Sequence, residues 1–282
     1  MQMRSGAHFA CRSCVSHCPN NRGGYRRRSH TSIGIGCMLR AVTLLALTRS
    51  SRALSMPPGG YTSRTMDPNA GAVDAQNPAK MLSPSCDRNK AAILSEYLTI
   101  LPSSGRALEV ASGTGQHVAH FAAALPGVRF CPSDLTTDAF GSVAAWAEGL
   151  DNVEAPFAHD CASVSDWAKL EPKSFDAVIV ANMCHISPWM VTEGLFTGAA
   201  RVLADGGRLC VYGPFTTGGE HTSESNADFD RSLRARDPSW GYRDIERDLG
   251  ALADKAGVAL LKRIAMPANN FLLVYARCAT EE

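Results

Sequence analysis

Two glycines one residue apart, in Leu108-Glu109-Val110-Ala111-Ser112-Gly113-Thr114-Gly115-Gln116-His117, follow a short apolar run and lead at once into a helical pattern. A backbone without Cβ atoms at two such positions turns sharply and comes close to a ligand, and the first amides of the next helix face that ligand unpaired. A nucleotide-type cofactor suits such a bend. Asp134 lies 19 residues after Gly115, where a carboxylate accepts hydrogen bonds from both hydroxyls of a ribose and repels a 2′-phosphate. A dinucleotide fingerprint needs a third glycine three residues after the second; Val118 stands there, which disfavours NAD and FAD. Asn182 and His185 follow a strongly apolar run, the place where open α/β sheets bind ligands. His185 is the candidate base for an acceptor that must lose a proton, although an imidazole in Cys-His-Ile-Ser-Pro also suits a turn that it merely hydrogen-bonds.

The elements that must hold these residues alternate. The apolar spacing predicts a helix from Asp87 to Leu101, a strand from Arg106 to Ala111, a helix from Gln116 to Leu125 and a strand from Val128 to Cys131. Thr136 is expected to cap a helix to about Gly149, followed by a strand from Val153 to Phe157. A fourth strand is read at Phe175 to Ala181, a helix at Trp189 to Leu203 and a fifth strand at Gly207 to Tyr212. Strands apolar on both faces and alternating with helices imply a parallel sheet covered on both sides. After a helix from Tyr242 to Ala256, strands at Ala259 to Met266 and Phe271 to Ala276 are joined too closely for a crossover, so they pair as an antiparallel hairpin. The expected fold is α/β: a doubly wound, mostly parallel, seven-stranded sheet with helices on both faces and a terminal antiparallel hairpin. Between the fifth strand and Trp240 the chain is polar and glycine-rich and carries His221, Asn226, Phe229, Arg234, Arg236 and Asp237. It reads as a lid over the acceptor site, with an ordered surface helix as the other possibility.

Charge separates the chain into segments. Ten Arg and no acid precede Asp67, whereas 18 Lys and Arg face 27 acids from there on. Residues 1–56 contain a short apolar run between arginines, from Met38 to Leu54, and resemble an organellar presequence, for mitochondrion or plastid. If Met38, Met56, Met66 or Met81 is the true start, the protein is cytoplasmic instead. The run is too short to cross a bilayer as a helix. Residues 57–84, rich in Pro, Gly, Ser and Asn, read as a linker, and residues 85–282 as the folded domain. Cys11, Cys14 and Cys18 lack a second paired knuckle, so no metal site is expected; Cys86, Cys131, Cys161, Cys184, Cys210 and Cys278 are scattered singly, as small buried side chains without disulfides.

Five alternating units and a terminal hairpin, with Glu-x-Ala-x-Gly-x-Gly after the first strand, resemble the seven-stranded, Rossmann-like S-adenosylmethionine-dependent methyltransferases. Arg88-Asn89-Lys90, Glu109 to His117, Pro132-Ser-Asp134, Asn182 to Trp189, Tyr212-Gly-Pro-Phe215, Ser232 to Trp240 and Met266-Pro-Ala-Asn-Asn270 resemble the methyltransferase-like 26 family across Ser85 to Arg277. The resemblance implies S-adenosyl-L-methionine as cofactor, held by Glu109, Ala111, Ser112, Gly113, Thr114, Gly115, Asp134, Leu135, Asp160, Cys161 and Asn182. Glu109 would face the cationic methionine end through water, and Asp160 would accept from the adenine amino group. Ala111 replaces the first glycine of the generic motif, at little cost if its φ is negative. Asn182 and His185 would act at the reacting atoms, Arg88 and Asn89 would bind the cofactor's carboxylate or an acidic acceptor, and Trp189, His221 and Arg234 would bind the acceptor. Each acid also suits a helix cap or a solvated turn. Basic residues interleaved with Asp237, Asp244, Glu246 and Asp248 make no basic stripe, so a small-molecule acceptor is expected, with no nucleic acid and no membrane partner. The rival from another class is a non-catalytic S-adenosylmethionine-binding module on the same fold, and an NAD oxidoreductase stands third.

Overall fold

Alternate residues of the strand Phe175–Ala181 pack against different helices, and this sets the layers. The computed structural model describes residues 72–277. The expectations for residues 1–56, for the start of the linker and for the cysteines at 11, 14, 18, 37 and 278 lie outside the described residues.

The order is α1 (Pro84–Ile100), β1 (Gly105–Val110), α2 (Gln116–Ala124), β2 (Val128–Asp134), α3 (Phe140–Trp146), β3 (Phe157–Ala158), α4 (Val164–Ala168), β4 (Phe175–Ala181), α5 (Trp189–Val202), β5 (Leu203–Gly213), α6 (Glu224–Arg236), α7 (Ala251–Ala256), β6 (Val258–Met266) and β7 (Asn270–Arg277). The seven strands form one sheet in the order β3-β2-β1-β4-β5-β7-β6. β7 runs antiparallel to both of its neighbours, and the pairs from β3 to β5 are parallel. The expected doubly wound sheet with a terminal antiparallel hairpin is the one observed.

Ala177 and Ile179 of β4 join Ile93 and Tyr97 of α1, Val118 and Phe121 of α2 and Val143 of α3 in one apolar layer. Val178 and Val180 join Trp167 of α4, Leu195, Phe196 and Ala199 of α5 and Leu252 of α7 in the other. A strand buried on both faces cannot alternate apolar with polar, which explains the apolar run from Ala177 to Ala181 after the half-buried Asp176.

Several boundaries move for local reasons. β3 keeps only two residues beside a single bridge from Val153 to Phe130. Pro132 of β2, which has no N–H to give, falls in the gap between them. Thr136 does not cap α3, whose N-cap is Ala139. The helix expected from Tyr242 to Ala256 starts as a π-helical turn, Ile245–Gly250, whose N-cap Asp244 accepts from Glu246 N and Arg247 N. Residues 72–83, read as linker, are tied to the sheet's helices. Met81 N donates to Ser142 Oγ at 2.8 Å, Trp146 Nε1 donates to Met81 O at 3.0 Å, and Val73 bridges Met81. The ordered chain therefore starts before Ser85. Among the described residues no helix is long and apolar enough to cross a membrane.

Candidate active site

The carboxyl ends of β1 to β5 open into a cavity of about 840 Å³, within the range of roughly 300 to 1,000 Å³ usual for small-molecule sites. α1 flanks it at its N-terminal end, and residues from α6 to Tyr242 flank it on the β4–β5 side.

The bend after β1 is built on positive φ. Ala111 sits at 57°, Gly113 at 54° and Gly115 at 87°. The condition under which Ala111 would cost little, a negative φ, is therefore not met: the left-handed conformation costs a residue with a Cβ about 1–2 kcal/mol. The bend is held from β2. Ser112 N donates to Ser133 O at 2.9 Å, Ser133 N donates to Ser112 Oγ at 3.1 Å, and Ser133 Oγ donates to Glu109 O at 2.8 Å. Asp134 joins them: its Oδ2 accepts from Gly113 N and its Oδ1 from Leu135 N, both at 2.8 Å. Burial raises the Asp134 pKa, opposed by the N–H groups of Gly113, Leu135 and Thr136. Each carboxylate oxygen keeps a lone pair beyond its backbone donor.

Ala111, Ser112, Gly113, Thr114, Asp134, Leu135, Asp160, Cys161 and Asn182 all line the cavity. Two residues assigned to the cofactor do not. A Cβ on Gly115 would lie 2.6 Å from Val143 Cα, so this glycine lets α2 lie close against α3. Glu109 is buried behind the bend, with Oε2 unpartnered, and burial pushes its pKa up to about 8. The period of two explains it: Val110 and Glu109 point to opposite faces of β1.

Asp160 Oδ1 accepts from Ala162 N at 2.9 Å, while Asp160 N donates to Asp166 Oδ2 at 2.8 Å. Asn182 follows β4 at φ 57°, and its N–H donates to Tyr212 O at 2.9 Å. A single 3-10 turn, Cys184–Ile186, then carries His185 into the cavity. Burial, and next the Arg243 guanidinium, push the His185 pKa down to about 3. At neutral pH its imidazole is uncharged and weakly basic, a poorer match to a general base than to a fixed hydrogen-bonding wall.

The segment from Gly213 to Trp240 is an ordered helix for much of its length, α6, rather than a long irregular loop. Ser223 caps it by accepting from Asn226 N, and Asn226 and Phe229 face the cavity. The rings of His185, Phe229 and Tyr242 stand together, with centroids 6.0 to 6.3 Å apart. His221 and Arg234 do not line the cavity. Both donate to Asp230 Oδ2, at 3.1 and 3.2 Å, while Asp230 Oδ1 accepts from Tyr242 N at 2.8 Å. Trp189 also lies outside the cavity lining: it packs on the core, with the Arg243 guanidinium 5.6 Å from its ring. Arg243 in turn donates to Ser187 O at 2.6 Å and ties the His185 turn to the end of the α6 segment.

Arg88 and Asn89, in the second turn of α1, line the cavity, Arg88 exposed and Asn89 buried. Sequence reasoning gave no role to His117, Tyr212, Trp240, Tyr242 and Asn270, which also line it. Tyr212 and Asn270 occur in runs already singled out, and their signal is position: one ends a strand and the other begins the strand paired with it.

The model of a family described as "Protein of unknown function (DUF938)" matches residues 80–277. The fold is similar to that of the YcgJ protein of Bacillus subtilis, at TM-score 0.53 and 14% identity over 69% of this chain and 100% of that one. It is similar to the S-adenosylmethionine-dependent methyltransferase SibL at TM-score 0.56 and 20% identity, over 69% of this chain and 56% of SibL. The mitomycin 7-O-methyltransferase MmcR matches at TM-score 0.57 and 16% identity, over 69% of this chain and 54% of MmcR. The chain spans little more than half the length of SibL and MmcR. At these identities the likeness is one of fold, the Rossmann-like fold of methyltransferases.

Proposed function

This chain belongs to the DUF938 family, and on that premise we propose that it is an S-adenosylmethionine-dependent methyltransferase acting on a small molecule. The observation that carries the reading is the Asp134 carboxylate. Held by two backbone N–H groups at the cavity wall, it keeps lone pairs for a pair of vicinal hydroxyls. The space above Gly113 is open, with nothing within 4 Å of where a Cβ would stand. These features fit an adenosine, with Leu135, Asp160 and Cys161 beside its base and Ala111 and Asn182 toward the methionine end. The motifs shared with the methyltransferase-like 26 family support the same reading. An acceptor-side cavity walled by Asn182, His185 and Phe229 supports turnover over a binding-only module.

When bound, the cofactor supplies an electrophilic methyl group on a sulfonium that leaves as a neutral thioether. The chain then needs no general acid; its work is to align an acceptor, exclude water and, for a hydroxyl or thiol acceptor, hold the departing proton. Phe229, Trp240 and Tyr242 exclude water from the β4–β5 side. Neutral His185 offers the acceptor a hydrogen bond rather than a strong base. Isothermal titration of the full chain with S-adenosylmethionine and S-adenosylhomocysteine tests the reading. Micromolar binding is expected, weakened ten- to a hundredfold in Asp134→Ala, the loss typical of hydrogen bonds to a charged group. A folded wild-type chain that binds neither ligand overturns it.

A further inference from the structure

Tyr212, at the end of β5, is 3% exposed and faces the cavity. Asn270 Nδ2 donates to its oxygen at 3.1 Å, and the Asn89 side chain stands close enough to favour its ionised form. Asn89 Oδ1 meets His117 Nε2 at 2.7 Å, which leaves its Nδ2 as the end free to face Tyr212. A carboxamide oxygen only accepts, so that ring nitrogen carries the proton, and burial keeps His117 neutral by pushing its pKa to about 4. A phenol oxygen has two acceptor positions and one O–H. Asn270 Nδ2 fills one acceptor position and the Asn89 amide faces the other, so the O–H is left to donate.

Arg88 lines the same cavity, close enough to Tyr212 to favour its ionised form. The cavity's two carboxylates lie elsewhere. Asp134 ends β2 and Asp160 follows β3, and in the sheet order β1 and β4 separate both from β5. At the usual spacing of about 4.8 Å between strands, Tyr212 stands roughly 14 Å from the ribose position. The two donors therefore belong to the half of the cavity left to the acceptor, whose lining also carries the rings of Phe229, Trp240 and Tyr242.

We infer that the Tyr212 hydroxyl and the Arg88 guanidinium form an anion subsite that takes the carboxylate of the acceptor, whose apolar body rests against Phe229, Trp240 and Tyr242. The acceptor assignment rests on the methyl-transfer reading; the anion subsite itself does not. An O–H donor and a guanidinium make two charge-assisted hydrogen bonds to one carboxylate, and a neutral amide of the same shape forfeits both.

The test is titration of the full chain, with and without saturating S-adenosylhomocysteine, using benzoate and its neutral isostere benzamide. Wild type is expected to bind benzoate at least tenfold more tightly than benzamide, with tenfold losses in Tyr212→Phe and in Arg88→Gln. S-adenosylhomocysteine should bind these variants within twofold of wild type. Equal binding of benzoate and benzamide, or variants that bind benzoate like wild type, overturns the subsite. If both variants lose affinity for S-adenosylhomocysteine but not for 5′-methylthioadenosine, which lacks the carboxylate, the subsite serves the cofactor and the acceptor assignment falls. Wild type that binds benzoate through Tyr212 but binds no S-adenosylhomocysteine keeps the subsite and overturns methyl transfer instead. Arg88 is exposed, so Arg88→Gln leaves the question decidable even if Tyr212→Phe loosens the fold.

Discussion

Ala111 holds a left-handed conformation that a Cβ disfavours, at the wall where the proposed cofactor lies. Ala111→Gly relieves about 1–2 kcal/mol of strain and adds about 0.5–1 kcal/mol of unfolded-state entropy. The net expectation is a gain of about 0.5 kcal/mol in urea unfolding, whereas a loss would show that the Cβ makes contacts worth more than the strain. Glu109 predicts a pH dependence. Its pKa is raised from 4.5 to about 8 in the folded state, so its contribution is fully present below 4.5 and is lost as pH rises through 8. Between about pH 7.5 and 8 His117 and His185, whose unfolded value is 6.5, are almost wholly neutral in both states, which leaves this carboxyl exposed to measurement. Stability should fall there by up to about 1.4 kcal/mol per pH unit, and Glu109→Gln should flatten that slope. The glycine bend and Asp134 were legible because spacing along a strand-turn-helix unit dictates them. Glu109 was misread because a motif gives an order of residues and not which face of the strand each occupies.

Asp230 is the hub of the α6 segment: it receives His221, Arg234 and the Tyr242 N–H on one buried carboxylate. Asp230→Asn keeps the shape and removes the charge that holds Arg234 and accepts from His221. Amide exchange in Glu224–Arg236 is expected to quicken several-fold, while β1 and β4 stay protected. Unchanged exchange would mean that packing alone fixes the helix. Strands such as Phe175–Ala181 were read to the residue because burial on both faces leaves an unbroken apolar run from Ala177 to Ala181. α6 was not, since a helix with Asn226, Asp230 and Leu233 as its buried residues lacks an apolar stripe. His221 and Arg234, chosen as cavity residues for their chemistry, were drawn away by a carboxylate one or two turns along the helix.

At the scale of the whole molecule, a ligand bound only by the folded state adds about 2.7 kcal/mol at a hundred times its dissociation constant. For a domain of this size that corresponds to roughly 5–10 °C in thermal midpoint. S-adenosylhomocysteine should raise the midpoint of wild type by that amount and that of Asp134→Ala by about half as much or less; an equal rise in both would place the ligand elsewhere. Element order and the closeness of the last two strands were enough to foresee the sheet. The join between α6 and the hairpin was not foreseeable, because Asn226 Nδ2 donates to Asn269 O across 43 positions of sequence.

β7 ends the described chain, yet it lies inside the sheet, between β5 and β6. During synthesis the outer edge of β5 therefore carries unpaired N–H and C=O groups until Asn270–Arg277 emerge, several seconds later at ordinary elongation rates. β1 and β2, which hold Asp134 and the glycine bend, are complete long before then. The contact between Tyr212 and Asn270 cannot exist until that strand inserts. A nascent chain thus completes the strands that hold Asp134 and the glycine bend before it can form the contact between Tyr212 and Asn270.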